Sequence, residues 1–247
     1  MQIRLEDRWN KLTMNFKMPQ DIVDEWFEDI CELYTDYHRY YHTLNHIDEL
    51  YTLYDMYESK LKYPEIVQLA IWFHDVIYYP ESNTNEEDSI TMFENFKTDA
   101  KINHDIVERF ILVTKTHKIP NDFPNEYLND LKFFLDFDLA ILGKPRDQYI
   151  IYTNEIRNEY LHYPDSAYAV GRVKVLNNIL DGKIYFTEQF SEIYGDVAKE
   201  NIKYEIKYLE NKNKFLFNQD ELTSIHIICG IVVLVSTIRA LTKYLIQ

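Results

Sequence analysis

The chain has 247 residues, 46% of them hydrophobic and 27% charged, which supplies a sizeable core and excludes global disorder. Only 5 Gly and 7 Pro speak against an all-β protein, which needs many tight turns. A formal net charge of −15, from 26 Lys+Arg against 41 Asp+Glu, repels phosphate backbones and disfavours nucleic acid as a partner, while a small phosphate ester could still be held by a few converging cations.

The N-terminal MQIRLEDRWNKL is charged and has no apolar core of a signal peptide. The two cysteines, Cys31 and Cys229, lie far apart in sequence and make no disulfide framework, which fits a reducing, cytoplasmic location. Helices are expected over 5–17 and 21–36, with Asp21 as a cap. From Leu44, apolar residues recur at Ile47, Leu50, Tyr54, Tyr57 and Leu61, one helical face. Pro64 opens a helix that buries Ile66, Leu69, Ala70, Phe73 and Ile77, and Pro80 stops it. Thr84-x-x-Glu87 has the pattern of a capping box. A helix from Asn103 through His117 is closed by Pro120, and another from 126 to 142 is ended by Gly143. Helices over 146–160, 165–180 and 188–213 complete an all-α bundle of about ten helices. Residues 1–213 form one domain, and 214–247 an apolar tail. The tail's run from Ile225 to Val235 is shorter than the ~20 residues a membrane helix needs. It reads as a buried or oligomer-contacting helix rather than an anchor.

Polar groups inside this apolar pattern are costly unless they have partners or work. His42 and His46 stand one turn apart, His74 and Asp75 are adjacent, and Glu86 follows closely. Asp138 falls on the stripe of Leu131, Phe134, Leu135 and Leu142, where the period asks for an apolar residue. A lone histidine on an apolar face is usually a satisfied core residue. The spaced set His46, His74, Asp75 and Asp138 has instead the mixed imidazole and carboxylate chemistry of a divalent-metal site. Such an ion lowers the pKa of a bound water and polarises a phosphoryl oxygen.

Eight segments, in order, carry a resemblance: Arg8-Trp9, YHTLNHI at 41–47, AIWFHDVIY at 70–78, TNEEDS at 84–89, TKTH at 114–117, FLDFDLAILG at 134–143, YTNEIRNEY at 152–160 and YAVGRVKVL at 168–176. Together they resemble the HD superfamily of metal-dependent phosphohydrolases, in a subfamily of unassigned substrate, over about residues 1–210. The resemblance implies an HD-type helical bundle. It implies His46, His74, Asp75 and Asp138 as ligands of a divalent ion (Mn, Mg, Co, Ni, Fe or Zn). Asp138 is preferred to Asp136 because it precedes Leu139, and the apolar period favours it too. Catalytic roles fall to Asp75, to His42 as a substrate-orienting group and to Glu86 as a proton relay, although His42 and Glu86 also fit ordinary helix-start positions. His117 is a phosphate contact or a ligand to a second ion. Arg157 and Arg172 are substrate-gripping candidates, with burial in ion pairs to Glu155, Glu159 or Glu205 as the alternative. Lys115 and Lys118 read as surface lysines, and most of the 21 tyrosines as packing.

The expected activity is hydrolysis of a small-molecule or nucleotide phosphate ester by metal-activated water, in a protein that could self-associate. Two alternatives stand beside it: a di-iron oxygenase recruiting His104 and His117, and a non-catalytic ligand-binding module. No Gly-rich phosphate loop, CxxC pair or GxSxG elbow is present.

Overall fold

A computed structural model describes residues 2–212. Among these residues the fold is all-α, with ten α-helices packed as a bundle. They are α1 (Gln2–Thr13), α2 (Gln20–Tyr34), α3 (Leu44–Tyr57), α4 (Pro64–Phe73), α5 (Asn85–Ala100), α6 (Ile106–Thr114), α7 (Leu128–Asp138), α8 (Arg146–Glu159), α9 (Asp165–Asp181) and α10 (188–212). No described helix is long and apolar enough to cross a membrane. The apolar tail at 214–247, with Cys229, lies outside the described residues.

The bundle is built around α4. Ile66, Val67, Leu69, Ala70, Ile71, Trp72 and Phe73 are all buried, so this helix is apolar on every side, the signature of a central element. It packs against α3, α5, α6 and α7. Leu5, Trp9 and Leu12 of α1 share one buried stripe. The Trp9 ring meets Trp72 edge-on at 5.5 Å between centroids and Phe96 at 5.2 Å, and its Nε1–H donates to the Val23 carbonyl at 2.9 Å. Tyr34 Oη–H reaches the Trp72 carbonyl at 3.0 Å. The N-terminal helices thus cover the last turn of α4, while α3 and α7 pack along it.

Three helix ends depart from the sequence reading. The apolar period of α4 continues to Ile77, yet the helix stops at Phe73. The backbone oxygens past that end are taken by the buried Arg39, whose guanidinium donates to the carbonyls of Asp75 at 2.7 Å and Val76 at 2.8 Å, and also to that of His42 at 3.0 Å. This is a helix terminus closed by a side chain from elsewhere in the chain. The capping box at Thr84 does not form: Thr84 makes no side-chain cap, and its hydroxyl donates to Asp88 Oδ2 at 2.9 Å instead. The helix expected over 126–142 is α7 followed by a 3-10 turn, Leu139–Gly143. There Gly143 is required by packing, because a Cβ would overlap Tyr194 of α10.

Candidate metal centre

His46 lies in the first turn of α3, whose Thr43 cap accepts from the Asn45 amide. His74 and Asp75 follow the last residue of α4, and Asp138 is the last residue of α7. Their polar atoms converge. His46 Nε2 is 3.3 Å from His74 Nε2 and 3.3 Å from Asp138 Oδ1. His74 Nε2 is 3.2 Å from Asp75 Oδ2 and 3.7 Å from Asp138 Oδ1. His46, His74 and Asp75 each offer a ligand atom within 4.8 Å of the others.

The chemistry of this donor set fits a cation. The Nδ1 of His74 lies 3.0 Å from the Ile71 carbonyl, which can only accept, so Nδ1 carries the proton. In the neutral ring the Nε2 lone pair faces two carboxylate oxygens, and the positive charge this cluster calls for is supplied either by a proton on an imidazole or by a bound cation. Burial works to lower the His74 pKa, but Asp75 and Asp138 outweigh it and push it up to about 9. Burial likewise opposes ionisation of both aspartates. The facing His74 holds Asp75 well below the usual carboxylate range, and hydrogen bonds from His117 and His46 do the same for Asp138. Ligands bound about 2.0–2.1 Å from one tetrahedral ion lie roughly 3.3 Å from one another, close to the separations of His46 from His74, of His46 from Asp138 and of His74 from Asp75, while His46, His74 and Asp75 as a set span up to 4.8 Å. His46 Nδ1 is buried and has no hydrogen-bond partner among the described residues.

The centre opens into a cavity of about 690 Å³, within the range of small-molecule sites. Asp75, Asp138, His42 and His117 are among its lining residues, together with side chains of α8 and α9. His117 closes α6 with a left-handed backbone, φ 49°, and its Nε2 is 2.9 Å from Asp138 Oδ2. Asp138 therefore serves the His46–His74 pair with one oxygen and His117 with the other. Glu86, in the first turn of α5, lines the mouth beside Lys115, 3.6 Å away. Lys115 is not a free surface lysine: it also binds Glu87 at 2.6 Å and the Asn83 carbonyl at 2.6 Å. Nothing in the described chain matches a known relative by comparison: no family model, no curated protein and no solved structure fits it.

The two arginines separate. Arg172 lines the cavity while its Nε donates to Glu205 at 2.8 Å and its Nη2 to the Tyr152 hydroxyl at 3.1 Å. Its Nη1 has no hydrogen-bond partner among the described residues. Arg157 is committed elsewhere, to Asp165 at 2.7 Å and to the carbonyls of Tyr160 and Tyr163. It ties the end of α8 to the start of α9, outside the cavity lining, which corrects the expectation of a substrate contact.

Two residues matter more than their sequence context suggested. Glu159, its side chain fully buried, accepts three consecutive backbone amides, Tyr40, Tyr41 and His42, at 2.8–2.9 Å on Oε1. Its Oε2 accepts His42 Nδ1–H at 2.7 Å and the Tyr78 hydroxyl at 3.0 Å. Burial would raise this carboxyl, yet the His42 imidazole and these donors hold it at about 2. The same pairing raises His42 above its ordinary value against the cost of burial. With Nδ1 bound to Glu159, His42 presents Nε2 toward the centre, 3.9 Å from Asp75 Oδ2. Arg39 fixes the carbonyls on either side of the same site. The signal for Glu159 was its register in α8, three residues after Ile156 and seven after Tyr152, both buried. For Arg39 the sequence offered only its charge.

Proposed function

We propose that this chain is a metal-dependent phosphohydrolase that cleaves the phosphate ester of a small molecule, with water as the nucleophile. The observation that carries this reading is the convergence of His46, His74, Asp75 and Asp138, from three helices, beside a cavity large enough for a substrate. The resemblance of the ordered segments to the HD superfamily supports it. These four side chains would hold a divalent ion such as Mn, Mg, Co, Ni, Fe or Zn, which supplies a more acidic bound water and a Lewis acid for the phosphoryl oxygen.

The chain's own residues do the rest. Asp75, beside His74 and within reach of His42, orients the attacking water. The water oxygen bonds to phosphorus as the bond from phosphorus to the alcohol oxygen breaks. His42, its proton affinity raised by Glu159, gives its Nε2 proton to that leaving oxygen, and the proton released by the water restores it. His117 and the Nη1 of Arg172, which has no partner among the described residues, contact phosphoryl oxygens. Glu86 offsets the charge of Lys115 at the mouth, so the entrance is not a cation trap for polyanions. The oxygen-using alternative needs His104 at the centre. His104 instead bonds Glu65 and packs on Phe16, so that reading gains no support.

The test is a panel of phosphomonoesters, phosphodiesters and nucleotides offered to the full chain loaded with each divalent metal in turn. At least one class is expected to turn over, with activity lost on chelation and reduced at least about 100-fold by Asp75→Ala or Asp138→Ala. No turnover with any metal would end the proposal.

A further inference from the structure

The cavity is far larger than a phosphoryl group requires, and one of its walls is formed by α8, α9 and the turn that joins them. There Ile156, Val175 and Ile179 alternate with Tyr152, Tyr160 and Tyr168. Apart from Arg172, the only hydrogen-bonding side chains on this wall among the described residues are tyrosine hydroxyls. That is a surface for a ring, held by area and by offset or edge-on aromatic contact.

The cavity is poorly equipped for two other kinds of substrate. A polyphosphate needs several uncommitted cations, but among the described residues the lining carboxylates Asp75, Glu86 and Asp138 face only Lys115 and Arg172 as permanent cations. Lys115 is already bound to Glu87, and Arg172 to Glu205. A nucleobase needs paired donors and acceptors for its edge. The Asn85 amide in the lining is spent on both backbone groups of Tyr79; the other lining amide, Asn83, lies on the loop before α5, and the α8–α9 wall carries no amide or carboxylate among the described lining residues.

Gly171 sets the room at this wall. It lies inside α9 and lines the cavity, and a Cβ built there would meet nothing within 4 Å. Glycine in a helix interior is unfavourable, and none of the described residues around it excludes a side chain. From these features we infer that the substrate is a phosphate monoester of an aromatic or alicyclic alcohol, with its ring against the α8–α9 wall and its size limited at Gly171. This rests on the phosphohydrolase reading for the phosphate end and on the apolar wall for the alcohol end.

The experiment uses the full chain, wild type and Gly171→Leu. It pairs hydrolysis of naphthyl, phenyl, glycerol and nucleoside monophosphates with calorimetric binding of naphthol and of a nucleoside to chelator-treated protein. The expected result is a kcat/KM for naphthyl phosphate at least about tenfold above those for nucleoside and glycerol phosphates. Naphthol binds the metal-free chain and the nucleoside does not. Gly171→Leu keeps a melting temperature at or above that of the wild type, weakens naphthol binding, and lowers the naphthyl-to-phenyl preference about tenfold or more. A nucleoside monophosphate preferred to naphthyl phosphate overturns the inference, as does a folded Gly171→Leu variant with unchanged preference. Cleavage of all esters without discrimination also overturns it while leaving the phosphohydrolase reading intact. Naphthol binding that Gly171→Leu weakens, with no ester cleaved, supports the ring-binding wall and removes the phosphohydrolase reading.

Discussion

Three carboxylates on α7 have three different tasks. Asp130 accepts the amides of Lys62 and Tyr63 at 2.6–3.0 Å and anchors the chain entering α4. Asp136 accepts the amides of Phe186 and Thr187 and the Thr187 hydroxyl at 2.6–2.8 Å, anchoring the start of α10. Only Asp138 reaches the histidines. The division predicts opposite phenotypes. Asp136→Ala strands buried amides and costs about 2–4 kcal/mol in denaturant unfolding, with metal still bound by the folded fraction. Asp138→Ala abolishes metal binding in a chain that remains folded. Retention of a full metal equivalent by Asp138→Ala would break the assignment. Glu159 makes a separate prediction through its depressed pKa. A carboxyl at about 2 in the fold, against an ordinary 4.5, stabilises the protein above roughly pH 4.5, and this contribution is lost as pH falls toward 2. Glu159→Gln should therefore cost roughly 3 kcal/mol at neutral pH and show a shallower loss of stability on acidification. Unfolding curves recorded from pH 7 to about pH 2 would reveal parallel slopes if Glu159 were an idle core residue.

At the scale of elements, helix existence was readable and helix ends were not. Period and punctuation placed all ten helices because each follows from local spacing and from Pro or Gly. The ends were decided by groups far away in sequence. Arg39 terminates α4 across 36 and 37 residues, and Glu159 gathers the amides of residues 40–42 across 117–119. Asp138 could be singled out because a carboxylate broke an apolar stripe. Glu159 broke one in the same way, but three of its five partners are backbone amides that no side-chain pattern reveals. Arg157 has the composition of an anion contact and the geometry of a helix tie. Two glycines show how local identity and packing separate. Gly171→Ala, in an open helix interior, should stabilise by about 1 kcal/mol. Gly143→Ala meets Tyr194 and should destabilise by about 2 kcal/mol or more. Thermal denaturation of the two variants, expected to shift in opposite directions, checks both.

For the molecule as a whole, the proposed centre lies where α3, α4 and α7 meet, so an ion there would join three helices that are otherwise held by apolar packing. Binding to the folded state alone stabilises by about 4 kcal/mol when free metal stands at 1,000 times its Kd. Chelation should therefore lower the melting temperature of the wild-type chain and leave that of His74→Ala nearly unchanged. Equal shifts in both would place the stabilising ion elsewhere. The convergence of His46, His74, Asp75 and Asp138 on a single cation is tested most directly by the metal content of the purified full chain beside that of Asp138→Ala. The account predicts about one divalent ion per wild-type chain and close to none in the variant. A wild-type chain that binds no divalent metal, or a variant that binds as much as the wild type, would contradict it.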